Sequence, residues 1–176
     1  MISRGDIIVQ PVFLNKYLHM DYEKLHDALK ASLRKHGERK PVVIYGDACL
    51  GFKGEMKALM NECDAVKVDA LNCIDCLLGG HGKLLEMDPD HRLFFVTPAF
   101  LKFSETLITG TKEENHRRFN MLKGIMILDS LDDMARHWNR IEHFSDQTGL
   151  PVLEHLKVGL AGVKTIVEEA LQRRCR

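Results

Sequence analysis

The sequence lacks the features that mark membrane, secreted and nucleic-acid-binding proteins. No apolar run approaches the roughly 20 residues that a membrane span needs, and residues 1–6 do not have the charged-then-apolar layout of a signal peptide. The 25 Lys and Arg residues balance the 25 Asp and Glu residues, and no long basic stripe is present to neutralise phosphates. We therefore expect a cytoplasmic protein that binds neither a membrane nor nucleic acid.

Motifs of the common nucleotide-binding and hydrolytic sites are also absent. The sequence contains neither of the glycine-rich phosphate loops, GxxxxGK[ST] and GxGxxG, and nothing in it resembles the nucleophile elbow of a Ser-His-Asp hydrolase. The five cysteines are an odd number without the spacing of a disulfide framework. In a reducing cytosol such thiols are buried, catalytic or metal-bound.

The composition and the order of segments predict the fold class. With 45% hydrophobic and 28% charged residues in 176, the chain is typical of a globular protein, and we predict a single α/β domain over residues 1–176. Strand-like and helix-like segments alternate, which predicts a three-layer architecture with helices on both faces of a mostly parallel sheet. About six strands are expected, at residues 6–13, 41–46, 65–70, 93–97, 125–128 and 152–158.

Capping residues and apolar spacing predict the helices between these strands. Asp21 can cap a helix that runs to about Lys35, and Thr111 begins the capping box of another helix. Ser130 is expected to cap the helix that follows the fifth strand. An amphipathic helix is predicted from apolar residues at helical spacing: Phe52, Met56, Leu59, Met60 and Cys63.

Two cysteines each lie just past the end of a predicted strand. Cys49 follows the second strand and Cys73 follows the third. Neighbouring parallel strands are about 4.8 Å apart, and ligands bind outside their carboxyl ends, so these thiols are expected to share a site. Asn72 can cap a short helix, whose free N–H groups would favour a Cys73 thiolate. Cys76, three residues on, would share that helix face.

Three interpretations of these thiols stay open. Cys49, Cys73 and Cys76 can bind a metal ion or an iron–sulfur cluster, with a further ligand from His81, Asp47, a substrate or another subunit. Cys73 and Cys76 can instead form a redox dithiol, or capture a substrate covalently. Alternatively, the thiols pack beneath loops without forming a shared site, and the protein is a non-catalytic interaction subunit. Asp129, at the end of the fifth strand, is a further candidate site carboxylate.

Several short motifs together resemble the archaeal and bacterial family of unknown function numbered 1638. They span roughly residues 6 to 160 and are LHMDYEKL at 18–25, YGDAC at 45–49, NCIDCLLG at 72–79, LFFVT at 93–97 with Phe100, and TGLPVLE at 148–154. The resemblance implies that Cys49 and Cys73 are the family's thiols and that His19 is a further match. Cys76 lies outside the family pattern.

The chain also departs from that pattern. Members of the family begin with an extra strand that carries an Ala-Cys-Gly motif, and this chain starts after that point. The resemblance then implies a site that lacks one thiol, which Cys76 replaces, a partner supplies, or this member has lost. The absent strand would leave a sheet edge uncovered, which favours a homo-oligomer or a partner subunit. We expect a small molecule or a metal centre as ligand, and whether the protein is an enzyme stays open.

Overall fold

The computed structural model describes residues 10–15, 17–18 and 21–174. Contacts divide the chain into two compact units. The first comprises residues up to Pro41 together with Asp47–Ala65, and the second comprises Val42–Gly46 and Val66 onwards. The single domain over residues 1–176 stays a prediction.

The first unit is helical. Helix α1 spans Tyr22–His36, and its N-cap Asp21 accepts a hydrogen bond from the Lys24 N–H, as predicted. Helix α2 spans Glu55–Glu62, and Glu62 accepts from Lys30 and Arg34 of α1. Short 3-10 turns cover Gly37–Arg39 and Asp47–Cys49. The two α-helices bury the same kind of apolar stripe: Leu25, Leu29 and Leu33 in α1, and Met56, Leu59 and Met60 in α2.

The predicted start of α2 is wrong. Phe52 is 82% exposed and lies outside the helix. Gly54, with φ at 89°, is the N-cap, a left-handed conformation that glycine adopts at little cost. Cys63 follows the last turn as the C-cap.

The described residues of the second unit form five strands in two parallel sheets, which corrects the prediction of one six-stranded sheet. Strand β1 (Val42–Val43) pairs with β2 (Val66–Lys67). The second sheet has the order β3-β4-β5. Its strands are Leu93–Val96, Gly124–Asp129 and Val152–Lys157. The predicted first strand lies largely outside the described residues, and residues 10–13 form no strand. The α/β class and the parallel pairing are confirmed.

Strands β1 and β2 are shorter than expected because the chain turns soon after each one. The last shared hydrogen bond runs from the Val68 N–H to the Val43 carbonyl at 2.9 Å. Beyond it, Gly46 and Asp47 enter a 3-10 turn on one side, and Asn72 begins a helix on the other. Apolar runs therefore mark where strands lie but overestimate their length.

The described residues of the second unit also form six α-helices. They are α3 Cys73–Leu78, α4 Lys83–Met87, α5 Ser104–Leu107, α6 Lys112–Phe119, α7 Trp138–Thr148 and α8 Ala161–Arg174. The Thr111–Glu114 capping box of α6 is present as predicted. The prediction that Ser130 caps a helix is wrong, because the Asp129 carboxylate accepts the N–H groups of this turn. A 3-10 turn at Met134–His137 then precedes α7.

Apolar residues of the second unit form two clusters within its described part. One combines sheet and helix residues around four aromatic rings, Phe94, Phe100, Phe119 and Phe144, whose centroids lie 5.0–5.9 Å apart in the contacting pairs. The other joins the chain after β2 to α3 and α8 and contains Val68, Ala70, Cys76, Ile166, Val167 and Ala170. Across the described part of the chain, none of the helices combines the length and the apolar character needed to cross a membrane.

Candidate functional site

A close backbone approach fixes the start of α3. Gly46 is buried, and a Cβ atom at this position would lie 2.4 Å from the Leu71 carbonyl oxygen and 2.5 Å from the Asn72 nitrogen. Only a residue without a side chain fits between the end of β1 and the segment that leads into α3. The YGDAC and NCIDCLLG motifs therefore meet through their backbones at Gly46 and Asn72.

The carboxyl end of α3 is held in the same way by α8. A Cβ on Gly162 would lie 2.4 Å from the Leu77 carbonyl oxygen and 2.6 Å from the Gly79 nitrogen. Gly79 itself has φ at 101° and serves as the C-cap of α3. Glycines thus allow tight backbone contact at both ends of this short helix.

Hydrogen bonds complete the local structure around α3. The side-chain oxygen of Asn72 accepts the N–H groups of Ile74 at 2.9 Å and Asp75 at 3.0 Å. The buried Asp75 carboxylate accepts the Leu71 N–H at 3.1 Å and the Leu84 N–H at 2.8 Å. Asn72 is the predicted N-cap, and Cys73 lies in the first helical turn as expected. Asp75 is a structural residue, because both of its oxygens tie backbone segments together.

Cys73 does not have the thiolate character that the sequence predicts. The residue as a whole is exposed, but desolvation of its thiol raises the pKa above the ordinary value of 9.0. Hydrogen bonding from the backbone N–H groups of Cys73 and Ile74 lowers the pKa by less. The first helical turn thus acts on the sulfur as expected, but desolvation outweighs it, and the thiol is protonated at neutral pH.

Cys76 has a different environment from Cys73. It is only 8% exposed and packs in the apolar cluster with Val68 and Ile166. Its N–H donates to the Asn72 carbonyl at 3.1 Å within the helix. Of the two α3 cysteines, Cys76 is therefore the more buried residue.

Each of the other predicted site residues has its own local environment. Asp47 and Cys49 form the half-buried 3-10 turn of the first unit, so their predicted convergence with Cys73 stays a prediction. His81 is exposed, and its N–H donates to the Asp69 carbonyl. His19 lies outside the described residues. Within residues 10–15, 17–18 and 21–174, no three His, Cys, Asp or Glu side chains form a group that could hold a metal ion.

Asp129 is the best-defined polar centre among the candidates. Its side chain is 2% exposed, and its carboxylate accepts from the N–H groups of Leu131, Asp133 and Met134 at 3.2–3.3 Å. The Oδ2 atom also lies 3.3 Å from His155 Nε2. Burial raises the pKa of Asp129, but the hydrogen bonds from His155 and from this turn together outweigh it and hold the pKa below 3.8.

His155 is a residue that sequence reasoning missed. The sequence alone did not single it out, and β5 places it opposite Ile127 of β4, diagonally from Asp129. The available signal was the period of two along a strand, which puts His155 and Lys157 on one face. Choosing Asp129 as partner also required knowing the register between β4 and β5, which the sequence does not reveal.

Comparison with known proteins identifies a family without an assigned activity. The family model described as "Protein of unknown function (DUF1638)" matches residues 13–167, which confirms the resemblance seen in the motifs. No curated protein matches the chain, and no solved structure matches it.

Proposed function

The chain belongs to the DUF1638 family, and we propose that it binds a thiophilic metal centre through Cys73, with Cys76 as a second sulfur. The observation that carries the proposal is the environment of the Cys73 thiol. It lies in the first turn of α3, where burial raises its pKa and the backbone N–H groups of that turn act in the opposite direction. Such an environment suits a sulfur whose charge a bound cation neutralises.

The raised pKa of Cys73 favours a metal ligand over a free nucleophile. A thiolate must form before a cysteine attacks a disulfide or a carbon atom, and desolvation opposes that charge in the free protein. A bound metal ion supplies the missing positive charge and displaces the thiol proton. The redox-dithiol and covalent-capture alternatives are therefore less well supported.

The donor set favours a single ion over an iron–sulfur cluster. Clusters are held by four cysteine thiolates, whereas the second unit provides Cys73 and Cys76 within its described residues. Thiolates select soft ions such as Cu(I) and Zn(II), which tolerate fewer sulfur ligands. Cys49 is a candidate third thiol on the basis of the family resemblance and not of the geometry. The other candidate sources of ligands are a bound molecule and another subunit.

Cys73 has the primary role in this proposal. Residues at i and i+3 of a helix have Cβ atoms about 5–6 Å apart, close enough for two sulfurs to share one ion. Cys76, however, packs among apolar side chains, and binding would require its sulfur to turn away from them. We expect loss of Cys73 to remove the metal and loss of Cys76 to weaken its binding.

Anaerobic purification followed by elemental analysis tests the proposal. We expect close to one equivalent of a thiophilic metal in the wild-type protein and in Cys63→Ser, the matched control at the end of α2. Cys73→Ser should be metal-free. The Cys49→Ser variant tests whether Cys49 is a third ligand, as the family resemblance implies, and loss of metal from it would support that role. Metal-free wild-type protein that stays empty after reconstitution with Zn(II), Cu(I) or iron and sulfide would contradict the proposal. Unreactive thiols would then favour the non-catalytic interaction subunit, and a reactive thiol would favour thiol chemistry.

A further inference from the structure

We infer that His155 is the proton acceptor of a second polar site, which binds a small molecule through an O–H or N–H group. The site lies at the carboxyl ends of β4 and β5 and is independent of the cysteines. Its components are His155, the buried Asp129 that holds it, and Asp133. Outside the carboxyl ends of parallel strands is where α/β proteins bind ligands.

Asp129 determines which nitrogen of His155 carries the proton. The carboxylate is ionised at neutral pH, because its pKa lies below the ordinary value, and an ionised carboxylate only accepts hydrogen bonds. The imidazole atom that faces it, Nε2 at 3.3 Å, must therefore be the donor. In the neutral ring this leaves the Nδ1 lone pair free, and no hydrogen bond to Nδ1 occurs among the described residues.

Asp129 is more deeply buried than His155, which is the arrangement expected of a carboxylate that supports a proton-accepting imidazole. The Asp129 side chain is 2% exposed, whereas that of His155 is 31% exposed. A buried carboxylate behind a partly exposed imidazole orients the ring and stabilises the imidazolium. When a ligand transfers its proton to Nδ1, the bonding electron pair stays on the ligand oxygen or nitrogen, and Asp129 compensates the new positive charge.

Asp133 provides a second, independent indication of a ligand with a donor group. Its N–H donates to Asp129 Oδ1 at 3.2 Å, which places it in the same turn. Its own Oδ1 is buried and has no hydrogen-bond partner within the described part of the protein. Buried acceptors are nearly always satisfied in native structures, so an O–H or N–H group from a bound molecule fits this position.

A purely structural role explains these features less well. The N–H groups of Leu131, Asp133 and Met134 already stabilise the turn through Asp129, without any need for an ionisable ring. Of the nearby charged groups, Lys157 pairs with Asp132 and also interacts with the charge of Asp129. His137 Nε2 lies 4.0 Å from Asp133 Oδ2.

Two measurements on the folded wild-type protein test the inference without knowledge of the substrate. Long-range ¹H–¹⁵N NMR correlations should show neutral His155 with its proton on Nε2. Diethyl pyrocarbonate, an electrophile that modifies unprotonated imidazole nitrogens, should react with His155 at mildly alkaline pH. Mass spectrometry locates the modification, and the exposed His81 is the internal reference.

The Asp129→Asn variant then tests the positioning role. In metal sites, loss of the outer partner that orients a ligating histidine typically costs 10–100-fold in affinity or activity. By analogy we expect the His155 modification rate to fall by about tenfold while that of His81 is unchanged. A proton on Nδ1 in the neutral wild-type ring would overturn the inference, and so would a His155 that stays unmodified once His81 has reacted fully. Both of these outcomes are read from wild-type protein, so they stand even if the variant does not fold.

Discussion

Gly46 lies against the backbone of Asn72 so closely that a Cβ atom would approach the Asn72 nitrogen to 2.5 Å. This contact joins the end of β1 to the N-cap of α3 and so sets where Cys73 begins its helix. The position of the thiol thus depends on a glycine 27 positions earlier in the sequence (73 − 46). A change there should disturb both stability and the thiol environment.

We predict that Gly46→Ala destabilises the protein by about 2 kcal/mol, within the range typical of overpacked sites. The added methyl group meets backbone atoms of Leu71 and Asn72, which cannot rotate away as a flexible side chain would. Urea denaturation measures the change in the free energy of unfolding. Gly37→Ala is the control, because Gly37 has helical φ and ψ and no atom within 4 Å of a new Cβ. It should be neutral, or stabilising by about 0.5 kcal/mol.

We expect Asp75→Asn to cost about 1–3 kcal/mol of stability, the penalty for leaving a buried donor unsatisfied. Each carboxylate oxygen accepts one backbone N–H, from Leu71 and from Leu84. The asparagine oxygen can accept one of these N–H groups, but its NH₂ cannot accept the other. Asp90→Asn provides the comparison, since the Asp90–Lys123 ion pair is largely exposed and should contribute about 0.5 kcal/mol or less. Equal losses in the two variants would argue against a structural role for Asp75.

The lowered pKa of Asp129 predicts how stability depends on pH. Its contribution is fully present above the ordinary value of 3.8 and is lost as the pH falls through the lower folded-state pKa. The free energy of unfolding should therefore decrease on acidification in that window. In Asp129→Asn this part of the acid dependence should disappear, whereas Asp90→Asn, with the same change in charge, should keep it. An unchanged acid limb in Asp129→Asn would show that Asp129 is not held as an ion.

Cys73 should react slowly with iodoacetamide in the native protein. Desolvation raises its pKa above 9.0, so little thiolate is present near pH 7.5, and alkylation followed by peptide mass spectrometry should be slower than in urea-unfolded protein. The alkylation rate of Cys73 in the native protein should rise steeply as the pH increases past 9.0, the ordinary pKa of a thiol. Alkylation of native Cys73 that is faster than in urea would instead support the redox or covalent-capture alternative.

The sequence predicted the local features of this fold better than its long-range ones. The N-caps at Asp21 and Asn72 and the Thr111 capping box are interactions within three residues, so neighbouring residue types suffice to predict them. The six-stranded sheet failed because strand pairing depends on distant segments. After Val43 and Val68 the chain leaves the sheet for turns that apolar content does not reveal.

The candidate site shows the same division between local and distant effects. The position of Cys73 in a first helical turn was predictable from Asn72, but the desolvation that reverses the expected direction of its pKa comes from packing around α3. Cys76 shares the same short helix, yet its burial depends on α8 residues such as Ile166, which lies 90 positions later in the sequence. His155 was missed because its partner, Asp129, lies on another strand.

Titration of metal-free protein with Zn(II) at neutral pH, with released protons measured, tests the metal-site proposal most directly. Because Cys73 is protonated before binding, a bound ion must displace its proton. We predict saturable binding of about one ion with release of at least one proton, retained in Cys63→Ser and lost in Cys73→Ser. Absence of saturable binding in the wild-type protein, or identical proton release from Cys73→Ser, would contradict the account.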